Sequence, residues 1–162
     1  YAPFSFTTEE TGGIIGNGDI TMDWIVHVLK RTVDTQYRTK ADRRHTFLAG
    51  SSMGGLMTLY GLLAYPEVFS RGAALSPSLW IDAEKVKAMI RHARVKRNTV
   101  LYMDYGALEF ADHPHSRSLF AEVSALLIEK RVLLNSRIVP RGTHCEASWE
   151  KQIPFFMKTL FE

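Results

Sequence analysis

The chain has 162 residues, 46% hydrophobic and 23% charged, a balance that supports one globular domain with a real core. Lys and Arg number 20 against 17 Asp and Glu, a surplus too small and too scattered to form a nucleic-acid surface. No run approaches the ~20 apolar residues of a membrane span and no secretory signal is legible, so neither nucleic acid nor membrane is an expected partner and a cytoplasmic location is expected.

Residues 1–18 read as an irregular, Gly-rich stretch. Asp19 is placed to cap a helix running through Met22, Ile25, Val26, Leu29 and Val33, whose 3–4 spacing makes one apolar face. Residues 44–49 are β-prone and apolar toward their end, and residues 56–63 form a helix-like run with no breaker before Tyr65-Pro66. Residues 71–75 follow as a short buried strand ending at Ser76-Pro77. Asp82 then begins a helix through Val86, Met89 and Ile90, and residues 98–104 read as a buried strand. Pro114 opens a helix carrying Leu119, Val123, Leu126, Leu127 and Ile128. A strand around Ile138 and a helix from Trp149 to Phe161, with Pro154 in its first turns, complete the chain. Strand and helix in alternation predict an α/β fold, a parallel sheet with helices on both faces. With no repeat, low-complexity tract or linker, residues 1–162 read as a single domain.

Between the strand of residues 44–49 and its helix stands Gly50-Ser51-Ser52-Met53-Gly54, a G-x-S-x-G pattern in the strand–turn–helix context of a nucleophile elbow. A serine held on so sharp a turn needs neighbours without a Cβ, which makes Ser52 the candidate nucleophile. A base and an acid should follow in the order Ser, acid, His. His144 lies on a loop after the Ile138 strand, where it can reach a serine on a parallel neighbour. Asp104, which ends the strand of residues 98–104, and Glu109 and Asp112, which follow it, compete for the acid, and loop position favours Glu109. The single cysteine, Cys145, leaves no intrachain disulfide and reads as a passive loop residue, because Ser52 already holds the elbow. Residues 91–97 read as a solvated basic helix end, and Glu146 and Trp149 as residues that begin and anchor the last helix. His45, His92, His113 and His115 lack a strand-end position, and two histidines flanking Pro114 without a third ligand do not make a metal site, so no metal or cofactor is expected.

Five stretches together resemble the esterases related to esterase D, enterochelin esterase and the bacterial feruloyl esterases, all α/β-hydrolases. They are residues 50–55, Tyr65-Pro66-Glu67-Val68-Phe69, Ser76-Pro77-Ser78-Leu79-Trp80, Asp104-Tyr105-Gly106-Ala107-Leu108-Glu109, and residues 142–149. The resemblance covers nearly the whole chain and implies a serine esterase. In relatives the acid falls three residues after the glycine that closes its strand, which transfers to Glu109; relatives often carry Asp there, and some use a Ser–His dyad.

The implied chemistry is hydrolysis of a small-molecule carboxylic ester through an acyl-enzyme on Ser52, with His144 as base, Glu109 as acid and the Met53 N–H in the oxyanion hole. Trp80 and Tyr105, following strands at one sheet edge, are candidate walls of the substrate pocket. An acyltransferase with the same triad, or a non-catalytic fragment, remains open. The family fold carries about twice the four strands counted here, so the expectation is the C-terminal portion of an α/β-hydrolase, with N-terminal strands and one oxyanion-hole loop missing. The elbow strand would then be a bare sheet edge, a surface for self-association.

Overall fold

The computed structural model describes residues 2–8, 12–112 and 115–162. Two short strands, β1 (Phe6–Thr8) and β2 (Gly12–Ile14), pair antiparallel, so part of the stretch expected to be irregular is a small ribbon. The first helix begins as α1 (Gly18–Trp24), passes through a π turn (Ile25–Leu29) and ends as α2 (Lys30–Gln36). Its N-cap position is Asn17 rather than Asp19, and Asp19 sits in the first turn, accepting a hydrogen bond from the Ile20 N–H at 2.8 Å.

The remaining elements alternate: β3 (Phe47–Ser51), α3 (Met53–Ala64), β4 (Arg71–Leu75), α4 (Ala83–His92), β5 (Val100–Gly106), the single turn α5 (Glu109–Asp112), α6 (Ser116–Glu129), β6 (Leu133–Val139), α7 (Glu146–Glu150) and α8 (Ile153–Phe161). The strands pair in the order β3-β4-β5-β6, all parallel. Asp82 caps α4 through the Lys85 N–H, as its position before Val86 and Ile90 predicts. The C-terminal segment is two helices rather than one: Lys151 and Gln152 separate them, and Pro154 lies in the first turn of α8, where its missing N–H costs no helical bond. Pro114, the expected start of α6, and His113 lie outside the described residues; α6 has His115 at its N-cap position.

Alternation along the strands sends side chains to two layers. On one face Ala74, Leu101, Met103 and Tyr105 join Leu56, Leu59 and Leu62 of α3, Val86 and Ile90 of α4, and Val123 and Leu127 of α6. On the other face Ala73, Leu75 and Tyr102 pack with Leu160 of α8, with Phe156 and Trp149 against them. Covering both faces leaves β4 and β5 almost wholly buried.

β3 sits at the edge of the sheet, and among the described residues its one neighbour is β4. On the α1–α2 helix only Gly18, Met22 and Val26 are buried, and Leu29 and Val33, expected on the buried face, are exposed together with Ile20, Trp24 and Val28. The predicted apolar stripe is present, but it is wider than the surface available to cover it.

Candidate active site

Ser52 occupies the turn between β3 and α3 with φ 55° and ψ −120°, outside the regions that a residue with a side chain ordinarily adopts. Three backbone bonds hold it there: its N–H donates to the Leu75 carbonyl at 2.9 Å, and its own carbonyl accepts from Leu56 and Ser78, each at 3.1 Å. The turn explains Gly50, where a Cβ would stand 2.5 Å from the Gly54 carbonyl oxygen. Met53 is the first residue of α3, so its N–H is one of the amides a helix leaves without an internal acceptor, at the positive end of the helix dipole.

The parallel register brings Ser51, Leu75 and Asp104 to one level, and β5 and β6 continue to Gly106 and Val139. The loops that follow β5 and β6 are tied together. Ala107 N–H donates to the Val139 carbonyl at 2.9 Å and Leu108 N–H to the Gly142 carbonyl at 3.0 Å. Gly106 and Gly142 approach so closely that a Cβ on Gly106 would lie 2.4 Å from Gly142 backbone atoms. This contact joins the loop of Glu109 to the loop of His144.

The result is a continuous hydrogen-bonded row: His144 Nε2 lies 2.8 Å from Ser52 Oγ, and His144 Nδ1 lies 2.7 Å from Glu109 Oε2. Glu109 is buried while its histidine partner is exposed. Its other oxygen, Oε1, accepts from the Gly106 N–H and from the Ser76 hydroxyl, each at 2.7 Å. Burial by itself raises the Glu109 carboxyl, but the hydrogen bonds from His144, Ser76 and Gly106 outweigh it and hold the group below its usual range. Glu109 is therefore a carboxylate at neutral pH.

Asp104, the other carboxyl weighed on this strand, faces away from that row. It is 1% exposed, accepts from the Tyr102 hydroxyl at 2.7 Å and the Ser76 N–H at 3.2 Å, and burial pushes its carboxyl above the ordinary value. Tyr105 is not on an open pocket surface. It is 3% exposed, stacks on Phe110, meets Phe120 edge-on, and donates its hydroxyl to the Pro77 carbonyl. A tyrosine on the helix-covered face of a central strand packs inward, and here it fixes the loop after β4 rather than walling a pocket. Trp80 is 43% exposed, two residues beyond Ser78. Cys145 Sγ faces Thr143 Oγ1 at 3.3 Å.

Three residues next to the row are not expected there from the sequence, in which Trp149 reads only as an anchor of the last helix. Ser78 Oγ stands 3.4 Å from Ser52 Oγ, Ser76 bonds Glu109, and the Trp149 indole N–H donates to Ser76 Oγ at 3.0 Å. Ser76 and Ser78 follow β4 at the carboxyl edge of the sheet, where open α/β folds place their ligands, and that position was the signal available for them.

Residues 17–157 match the sequence model of the esterase family described as "Putative esterase". The chain belongs to this esterase family. Within that family setting, the iron(III) salmochelin esterase of Escherichia coli O6:H1 is 35% identical over 78 residues, which are 48% of this chain and 19% of that protein. Among solved structures, an IroE-like serine hydrolase from Shewanella oneidensis superposes with a TM-score of 0.75 at 20% identity, over 99% of this chain and 54% of that one. The enterochelin esterase of Shigella flexneri does so with a TM-score of 0.69 at 22% identity, over 90% of this chain and 38% of that one. These likenesses show that this esterase family member has the α/β-hydrolase fold. The chain spans 19% of the length of the curated relative it matches.

Proposed function

We propose that the chain hydrolyses a small-molecule carboxylic ester through an acyl-enzyme on Ser52. The observation that carries this reading is the row Ser52 Oγ, His144 Nε2, His144 Nδ1, Glu109 Oε2, with contacts of 2.8 and 2.7 Å. The neutral imidazole takes the Ser52 proton as Oγ attacks the ester carbonyl, and the Glu109 carboxylate keeps Nδ1 protonated and stabilises the imidazolium that forms. The carbonyl oxygen becomes an oxyanion opposite the Met53 N–H and the N-terminus of α3. The imidazolium then returns its proton to the departing alkoxide, and water repeats the attack on the acyl-enzyme, freeing the acid and Ser52.

In this reading residues 1–162 work as one hydrolase domain, and Trp80 lines the approach to Ser52. Relatives named as esterases of salmochelin and enterochelin support an ester of small-molecule size as substrate. The edge of β3, with the exposed apolar side chains of the α1–α2 helix, is the surface proposed for self-association.

Hydrolysis of p-nitrophenyl acetate by Ser52→Ala and Ser51→Ala tests the assignment. Ser52→Ala should lose on the order of 10⁴ to 10⁶ in rate with an unchanged circular dichroism spectrum, while Ser51→Ala keeps activity. The reverse pattern would overturn the assignment.

A further inference from the structure

Ser76 is an unusual residue for its place. It is 1% exposed and has φ 40°, a left-handed backbone that a serine adopts only when its surroundings impose it. Its N–H is fixed by the Asp104 carbonyl at 3.0 Å and by Asp104 Oδ1 at 3.2 Å. The directions of its side-chain bonds follow from the donor inventory. An indole N–H can only donate and a carboxylate can only accept, so Trp149 donates to Ser76 Oγ, and Ser76 spends its single proton on Glu109 Oε1. Trp149 also meets the His144 ring edge-on, with centroids 4.9 Å apart. One tryptophan thus touches the imidazole with its ring and the carboxylate, through Ser76, with its N–H.

We infer that Ser76 and Trp149 form one positioning unit that holds the Glu109 carboxylate and the His144 imidazole in register for the chemistry at Ser52. The inference rests on the reading of Ser52, His144 and Glu109 proposed above. Glu109 Oε1 has two donors, Gly106 N–H and Ser76 O–H; with both in place the carboxylate cannot rotate, and Oε2 is aimed at Nδ1. Without Ser76, Oε1 is left with the Gly106 N–H alone. The indole N–H leaves the Ser76 hydroxyl no alternative to donating toward Glu109. Charged and titrating neighbours of this cluster are Asp104, with Tyr102 and Arg137 beside it, Tyr105, and Cys145 and Glu146 next to His144 in the chain.

The test compares the unaltered chain with Ser76→Ala, Ser76→Gly, Trp149→Phe and the double variant Ser76→Ala/Trp149→Phe. Two readouts are followed: p-nitrophenyl acetate turnover across pH, and the low-field proton resonance of His144 Nδ1–H. Loss of a hydrogen bond to a charged group predicts a fall in kcat of about 10- to 100-fold for Ser76→Ala, with KM changed by less than about twofold. Trp149→Phe keeps an aromatic ring against His144 and should lose about 3- to 10-fold, the range of one neutral hydrogen bond. The double variant should be no worse than Ser76→Ala, because residues acting as a unit do not add. Removing a donor from Glu109 raises the pH at which its carboxylate is protonated, so the acid-side loss of activity should begin at higher pH, and the Nδ1–H resonance should broaden. Ser76→Gly suits the left-handed backbone and keeps the experiment informative if Ser76→Ala misfolds. Multiplying losses in the double variant, or an unmoved acid limb with a sharp Nδ1–H resonance, would overturn the inference. Should Ser52→Ala retain turnover, the proposed function fails instead, and the Nδ1–H resonance still judges the positioning unit.

Discussion

At the carboxyl ends of β4, β5 and β6, the polar side chains Ser76, Glu109, His144 and Trp149 bond or pack to one another. Along the α1–α2 helix, by contrast, large apolar side chains face solvent: Ile20 at 65%, Trp24 at 52% and Val28 at 49% exposure. The first region is over-determined. Ser52 and Ser76 both hold left-handed backbones, and such strain persists only where several bonds agree on one geometry. The second region has apolar surface in excess of the partners that β3 and α3 supply, and a sheet edge with no second neighbour among the described residues. The proposed chemistry is thus concentrated where the chain is most cross-linked, and the proposed association where it is least.

Glu109→Gln would break the first region most severely. The amide can offer an N–H toward His144 Nδ1, which favours the wrong tautomer, and a change of this type in a serine triad costs about 10⁴ in kcat. The same carboxylate sets a pH limit. Its hydrogen bonds hold it below the ordinary range, so activity that needs the ionised form is present above that depressed value and is lost as pH falls through it. A rate profile for the unaltered chain should therefore keep its Glu109-dependent limb below the ordinary glutamate range. A Glu109→Gln enzyme of full activity would remove Glu109 from the row and favour a Ser–His dyad.

Gly142→Ala tests the joint between the two loops. Its Cβ would meet Gly106 Cα at 2.8 Å and Val139 Cβ at 3.0 Å, and neither backbone nor branched side chain yields easily. Overpacking of this kind costs about 1–3 kcal/mol, read as a lower urea midpoint. Activity should fall further than stability, because the displaced loop carries His144. A variant with unchanged midpoint and turnover would show that the loops are positioned by something other than this contact.

The smallest effect is expected in the second region. Trp24→Glu lies on exposed surface and should change folding stability by about 0.5 kcal/mol or less. It should nevertheless shift sedimentation toward the monomer if the apolar face self-associates. A chain already monomeric at every concentration would remove that face from the account of association.

The sequence showed the site more fully than its supports. A strand, a G-x-S-x-G turn and a helix can be read from local pattern, and the order of Ser52, Glu109 and His144 follows the order of parallel strands; the structure brings all three together. The split between α7 and α8 was half visible in Pro154, but the break falls at Lys151 and Gln152, which carry no strong stop signal. Tyr105 and Asp104 follow one another on β5, and that neither faces Ser52 depends on strand register and on the Pro77 carbonyl, neither of which has a local signature. Ser76 was hidden for a similar reason. Nothing in a Ser-Pro pair announces a left-handed backbone, and its partner Trp149 is far along the chain. The exposure of the α1–α2 stripe was equally out of reach, since periodicity says where a helix is apolar and not what covers it.

Ser52 is the proposed activated nucleophile. Treating the chain with an alkyl fluorophosphonate and mapping the adduct by mass spectrometry measures this directly, because the reagent requires a serine whose proton a base removes. One adduct is expected, on Ser52, lost in His144→Ala. An adduct on Ser51 or Ser78, or labelling of Ser52 that survives His144→Ala, would contradict it.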